Sequence, residues 1–308
     1  MILSAGLTPA WQQILVFDRF LYGEVNRARE AVWCSSGKVL NAGIAVQHLG
    51  GPSLTLATVG GPPVAEIDRE FDALGVPRRW VTTESATRVC TTILDRATGA
   101  ITELVENGRP LSHAEIEQFR CVYAEEAARA KVVILIGSLP AGVPVSLYRD
   151  LMEATHCPAV LDFRGEGLLS VLDLEPYLVK PNREELAQTV GRPLDDDADL
   201  LAAMRWLNAR GARWVLVTQG SRPVWLSSAA KAYRFTPPPV ETVVNPIACG
   251  DCLAAGIAWA TRERMDIVDA VKLGIAAAGE NLRDLLPARL DRERVRMRAA
   301  LVQVDEVT

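Results

Sequence analysis

The segment Asn245-Pro246-Ile247-Ala248-Cys249-Gly250-Asp251 places one carboxylate where a tight loop enters a helix of small residues, Cys252-Leu253-Ala254-Ala255-Gly256-Ile257-Ala258. Backbone N–H groups at a helix N-terminus have no intrahelical partner and carry partial positive charge, so they suit an anion such as phosphate. Asp251 sets a candidate base beside that anion site, and the pairing suggests phosphoryl transfer. The same residue also reads as an ordinary helix-start Asp, and this segment alone leaves both readings open.

Other segments offer compatible chemistry. In Lys180-Pro181-Asn182-Arg183-Glu184-Glu185, Asn182 and Glu185 share a helix face, and oxygen side chains on one face suit Mg²⁺. Asn followed three residues later by Glu is equally the pattern of a capping box. Thr218-Gln219-Gly220-Ser221 ends an apolar run with groups that could hold phosphate oxygens, or is a plain strand exit. Gly137-Ser138-Leu139-Pro140 is of the same kind. Ser35-Ser36-Gly37-Lys38 superficially resembles a Walker loop but lacks its upstream Gly, so that reading is rejected. Gly37, Lys38 and Asn41 remain a fair polyol or phosphate site, and Arg88 is either a phosphate fork or a solvated arginine.

The elements that must position these groups alternate between strand and helix. Val132–Ile136, Pro158–Phe163, Tyr177–Lys180 and Trp214–Thr218 read as buried strands. Amphipathic helices are expected over His113–Ala130, Val145–Ala154, Arg183–Val190 and Asp197–Arg210, and the chain from Asn245 onward reads as mostly helical. This order predicts a mostly parallel sheet covered by helices, with ligands at the carboxyl ends of strands. Two segments break the alternation, about 13–34 and 88–108. The second contains a hairpin turn at Ala97-Thr98-Gly99-Ala100, and both are expected in a smaller sheet outside the main one.

Bulk properties exclude several classes. The 308 residues suit one large α/β domain or two smaller ones, and 49% hydrophobic with 23% charged residues is ordinary for a globular protein. A net charge of −5 gives no case for nucleic acid or an anionic membrane as partner. No apolar run approaches the roughly 18 residues of a membrane span, and the N-terminus lacks the basic region of a secretory signal, so a cytoplasmic protein is expected. The cysteines, including the Cys249/Cys252 pair, show no disulfide framework and no second metal-ligating pair nearby, and reduced thiols are expected. A dinucleotide-dependent oxidoreductase would want GxGxxG after the first strand, where Gly6-Leu7-Thr8-Pro9 offers none.

In their order along the chain these segments resemble the ribokinase-like, or PfkB, carbohydrate kinases, and most the branch of 1-phosphofructokinase and tagatose-6-phosphate kinase. Gly23-Glu24-Val25-Asn26-Arg27 resembles that branch's lid segment, and Ser36-Gly37-Lys38-Val39-Leu40-Asn41 its GGKGxN sugar motif. Thr87-Arg88, Gly137-Ser138-Leu139-Pro140, the Lys180–Glu185 run and Val217-Thr218-Gln219-Gly220 fall in family order. Asn245–Asp251 stands where the family has GAGD.

The resemblance implies a three-layer α/β/α fold with a small β-sheet lid, using ATP and Mg²⁺ to phosphorylate a sugar or sugar phosphate. Asp251 would be the base, and the N–H groups of Ala248, Cys249 and Gly250 the anion hole. Gln12, Gly37, Lys38, Asn41, Arg88 and Ser138 would bind the sugar. Lys180, Asn182, Thr218, Gly220 and Ser221 would bind the nucleotide, with Asn182 and Glu185 toward the metal and a homodimer formed through the lid. Three departures stand out. Gln12 replaces an Asp that holds sugar hydroxyls, Ser36 replaces the first Gly of the sugar motif, and Ala248 replaces the first Gly of GAGD. Ala at φ > 0 costs about 1 kcal/mol or more. These changes motivate two rivals: a weakened ligand-binding or regulatory protein on the same fold, or a kinase for another polyol or a nucleoside.

Overall fold

A computed structural model of the chain describes residues 1–307. In chain order the elements are β1 (Ile2–Gly6), β2 (Ala10–Phe17), β3 (Glu30–Ser36), α1 (Lys38–His48), β4 (Ser53–Val59), α2 (Pro63–Leu74), β5 (Arg78–Thr82), β6 (Arg88–Asp95) and β7 (Ile101–Val105). Next come α3 (His113–Ala127), β8 (Val132–Ile136), α4 (Ser146–Glu153), β9 (Ala159–Asp162), α5 (Gly165–Leu169), β10 (Leu178–Val179), α6 (Arg183–Val190) and α7 (Asp197–Asn208). The chain closes with β11 (Trp214–Val217), β12 (Val224–Ser227), β13 (Ala232–Thr236), α8 (Cys249–Arg262), α9 (Ile267–Asn281), α10 (Arg292–Ala299) and β14 (Gln303–Val307).

Among the described residues, ten strands form one sheet in the order β14-β13-β12-β11-β10-β9-β8-β1-β4-β5. Every pairing from β11 to β5 is parallel. Successive side chains of a strand point to opposite faces, so strands buried on both sides must be apolar throughout. Residues Val132–Ile136 meet that demand. Val132, Ile134 and Ile136 join a core with α1, α8 and α9, whereas Val133 and Leu135 join a second core with α3, α4 and α7. The result is a three-layer α/β fold, with the parallel sheet covered by helices that the alternation predicts.

The four expected main-sheet strands form close to their predicted limits, as do the four expected helices, of which α3 stops a turn short at Ala127. The antiparallel extension β12-β13-β14 has no counterpart in the expected pattern, and its last strand, pairing with β13 from far along the chain, departs from the mostly helical C-terminal reading. A separate sheet of order β3-β2-β6-β7 draws on both segments that broke the alternation.

Chain order places the functional end. β1 lies between β4 and β8, so the winding reverses beside it. Open parallel sheets bind ligands at the carboxyl ends of strands next to such a reversal. Here Thr8 Oγ1 donates to the Ser138 carbonyl (3.2 Å), closing the gap between the chain after β1 and the chain after β8. Gly6 is required at this point, because a Cβ would sit 2.3 Å from the Ile136 carbonyl oxygen.

Candidate active site

The carboxyl ends of β9 and β10, together with the starts of α1 and α8, bring four charged side chains together. Asp251 lies in the first turn of α8 and is 5% exposed. Asn41 Nδ2 donates to its Oδ2 at 2.8 Å, across 210 residues of sequence. Asn41 is itself buried, and its Oδ1 has no partner. Burial pushes the Asp251 carboxyl up to about 6, and the charge of Asp162 adds to that, while Lys38, the Asn41 hydrogen bond and Lys180 pull it down. A carboxylate poised near neutrality suits general-base work.

Asp162 ends β9 and is 1% exposed. Its Oδ1 meets Lys38 Nζ at 2.9 Å and its Oδ2 meets Lys180 Nζ at 2.8 Å. Burial would raise the Asp162 carboxyl, but Lys180 and Lys38 outweigh it and hold the group below the usual carboxylate range. Burial likewise opposes the Lys38 charge, and Asp162 more than offsets it, so the ammonium is held above its ordinary value. Asp162 is absent from the sequence-based set, although a carboxylate closing a parallel strand is a usable signal.

At the start of α8 the backbone carries the strain expected of the missing glycine. Ala248 sits at φ 70°, ψ 5°, in the left-handed region that an Ala adopts at a cost of about 1–2 kcal/mol. This turn leaves the N–H groups of Ala248, Gly250 and Asp251 without an acceptor among the described residues. Cys249 differs from the expectation: its N–H donates to the Pro246 carbonyl at 3.3 Å. Lys180 lies against this turn, since a Cβ on Gly250 would be 3.4 Å from its Nζ. The loop is braced behind. Asn245 Nδ2 donates to the Leu285 carbonyl (2.8 Å), and Asn281 Nδ2 donates to the Ile247 carbonyl (2.7 Å). Cys249 and Cys252 are free thiols, and burial pushes Cys249 up to about 11, which makes them unreactive packing groups.

Asn182 and Glu185 form the capping box. Asn182 Oδ1 accepts from the Glu185 N–H (2.8 Å), and Glu185 Oε2 accepts from the Asn182 N–H (2.9 Å). The helix starts at Arg183, as the cap requires. Glu185 Oε1 keeps only a 3.8 Å contact with Arg164 Nη1. Nearby, Thr218 bridges to Asn182 in parallel fashion, and Gly220 turns the chain at φ 63°, leaving Ser221 exposed.

On the opposite wall, Gly37 caps α1 at φ 80°, and a Cβ there would lie 2.8 Å from the Thr8 carbonyl oxygen. Lys38 and Asn41 follow on α1, and Ser138 is exposed after β8. Gln12 is buried on β2, where its Nε2 donates to Thr92 Oγ1 at 2.6 Å. Arg88, expected as a phosphate fork or a solvated arginine, is held by backbone carbonyls. Its guanidinium donates to the backbone carbonyls of Pro9 (3.3 Å), Glu106 (3.1 Å) and Thr8 (3.1 Å), which satisfies most of its donors. It borders a cavity of about 30 Å³ with Thr8, Thr87 and Arg109, and Arg109 is a second guanidinium that no sequence motif singles out.

The three-layer α/β fold thus gathers two buried carboxylates, two lysines and a helix N-terminus with free N–H groups at one sheet end. The chain belongs to the pfkB family of carbohydrate kinases, whose family model matches residues 3–286, and it is accordingly an ATP-dependent sugar kinase. Solved structures share the fold. A possible 1-phosphofructokinase of Thermotoga maritima superposes with a TM-score of 0.89 at 20% identity, covering 100% of this chain and 99% of that one. Phosphofructokinase-2 of Escherichia coli, in complex with substrates and products, gives 0.86 at 24% identity over 97% and 98% of the two chains. Ribokinase of Arabidopsis thaliana, complexed with ribose and ATP, gives 0.76 at 20% identity over 97% of each. Among the described residues, no helix is long and apolar enough to cross a membrane.

Proposed function

We propose that the chain phosphorylates a hydroxyl of a sugar phosphate with ATP, in the manner of phosphofructokinases, with Asp251 as general base. The observation that carries this reading is the buried Asp251, held by Asn41 in the first turn of α8, beside a helix start whose N–H groups are free. Asp251 takes the proton from the acceptor hydroxyl as the oxygen attacks. The N–H groups of Ala248 and Gly250, with Lys180 beside them, stabilise charge on the transferred group. Lys38 faces the cleft from the other side, 42% exposed, and Ser138, Gly37 and Asn41 line the acceptor's approach.

Basic groups around the acceptor side, Lys38, Arg88 and Arg109, favour a phosphorylated sugar over a neutral one. Gln12 replaces a charge with an amide that both donates and accepts, which suits a hydroxyl pattern different from that read by an Asp. Thr218, Gly220 and Ser221 form the rim on which the nucleotide would lie.

Mg²⁺ usually binds through one or two carboxylates, several waters and substrate phosphates. Glu185 Oε1, with its single long contact, fits that sparse role, and Asn182 shapes the site through the cap. Bound there with ATP, the metal would neutralise charge on the phosphates. The outer face of the smaller sheet exposes Trp33 (45%) and Leu104 (55%), with Trp11 stacked on Trp33 at 6.1 Å between ring centroids. This face supports a homodimer formed through it, which sedimentation velocity would detect.

The test is an ATP- and Mg²⁺-dependent screen of sugars and sugar phosphates. Turnover of a hexose phosphate well above its unphosphorylated parent is expected. ATP binding with no turnover across the panel would instead favour the regulatory rival that Gln12 and the strained Ala248 suggest.

A further inference from the structure

We propose that Asp162 is a positioning residue of the transfer site: a fixed counter-ion that ties Lys38 and Lys180, one to each carboxylate oxygen, beside the start of α8. The inference rests on the phosphotransfer reading and adds a residue to it.

The carboxylate is placed by rigid elements. Asp162 ends a strand flanked on both sides, with its own carbonyl accepting from the Gly137 N–H (3.1 Å) and the neighbouring Leu161 carbonyl accepting from the Lys180 N–H (2.9 Å). The two lysines arrive from different parts of the chain, Lys38 from the first turn of α1 and Lys180 from the exit of β10. Two ammonium groups so close would repel each other strongly in a poorly solvated site. A single carboxylate between them converts that repulsion into a fixed arrangement, with Lys180 against Gly250 and Lys38 open to the cleft.

An incoming phosphate therefore meets two cations already in place on its path, and ordering them need not be done at the moment of reaction. The groups facing Asp251 from the packed elements are Lys38 and Asn41 on α1, Asp162 on β9 and Lys180 after β10. Asp162 thus has a second effect. Its charge keeps the two lysines from over-stabilising the Asp251 carboxylate, which preserves Asp251 as a base.

A merely structural ion pair would affect stability but not these properties, so the test reads both. Asp162→Asn should lower kcat/KM by roughly a hundredfold and move the acid limb of its pH profile to lower pH, because a repelling charge beside Asp251 is gone. Asp162→Glu restores the charge but shifts the oxygens. It should return the acid limb to the wild-type position and recover only part of kcat. In calorimetric titrations with ATP alone, Lys180→Met should weaken binding about tenfold in the wild type and much less when combined with Asp162→Asn, the coupling expected of groups in contact.

Strictly additive effects on ATP binding, or a rate loss in Asp162→Asn with an unmoved acid limb, would overturn the proposal. Full activity in Asp162→Glu would also overturn it, and that variant serves if Asp162→Asn does not fold. A wild-type protein silent across the sugar panel would defeat the kinase reading instead. The ATP-binding cycle would still decide the role of Asp162.

Discussion

The helix pair behind Asp251 and the small sheet that carries Gln12 are built to opposite specifications. α8 and α9 are apolar over most of their surface and touch backbone to backbone. A Cβ on Gly256 would fall 2.8 Å from Gly274 Cα, and one on Gly274 would fall 2.8 Å from the Leu253 carbonyl oxygen. The four-stranded sheet buries a small cluster, Ile14, Val16, Cys34 and Leu94, and β7 is exposed along its whole length. Glu70 on α2 ties the sheet to the body by accepting from the Ser35 N–H and pairing with Arg289. Arg88 pins its other side to Thr8 and Pro9. The difference teaches where rigidity is invested: the proposed base and anion site sit on the close-packed body, and Gln12, a proposed substrate contact, sits on a unit with few attachments. Segments of the second kind open at low free energy and serve as closing elements.

That contrast can be broken by substitution. Gly274→Ala should force α8 and α9 apart and cost about 1–3 kcal/mol, read in a urea melt. A loss under about 0.5 kcal/mol, the size of an ordinary surface change, would show that the helix contact is not tight. Ala248→Gly removes a left-handed Ala and should stabilise by up to about 1 kcal/mol, and destabilisation would mean that the strain at this turn is absent. Val105→Ser on β7, on the face opposite Leu104, should stay within about 0.5 kcal/mol. A larger loss would reveal that the small sheet is coupled to the body more strongly than its contacts show.

Much of the fold was legible because its signals are local. The apolar run Val132–Ile136 and the turn at Thr98-Gly99 announce a buried strand and a hairpin without reference to the rest of the chain. β14 was not legible, because its partner β13 lies beyond three intervening helices and its alternation is weak. In the site, Asp251 was readable from the loop-to-helix sequence and Ala248 from the missing glycine. Asp162 was not, since its meaning depends on Lys38, 124 residues away. Asn182 and Glu185 show the other limit: one spacing encodes both a cap and a metal site, and the spacing alone does not tell which of the Glu185 oxygens the cap takes. Arg88 is similar, because nothing local tells a free guanidinium from one committed to distant carbonyls.

The pH dependence of kcat/KM, measured side by side for the wild type and Asp251→Asn, tests the central claim most directly. Burial leaves Asp251 protonated in acid, so wild-type kcat/KM should rise with pH through about 6 and then level. Asp251→Asn should bind ATP, melt like the wild type and turn over roughly a thousandfold more slowly, with that acid limb gone. Retained turnover, or the same acid limb in the variant, would contradict Asp251 as the base.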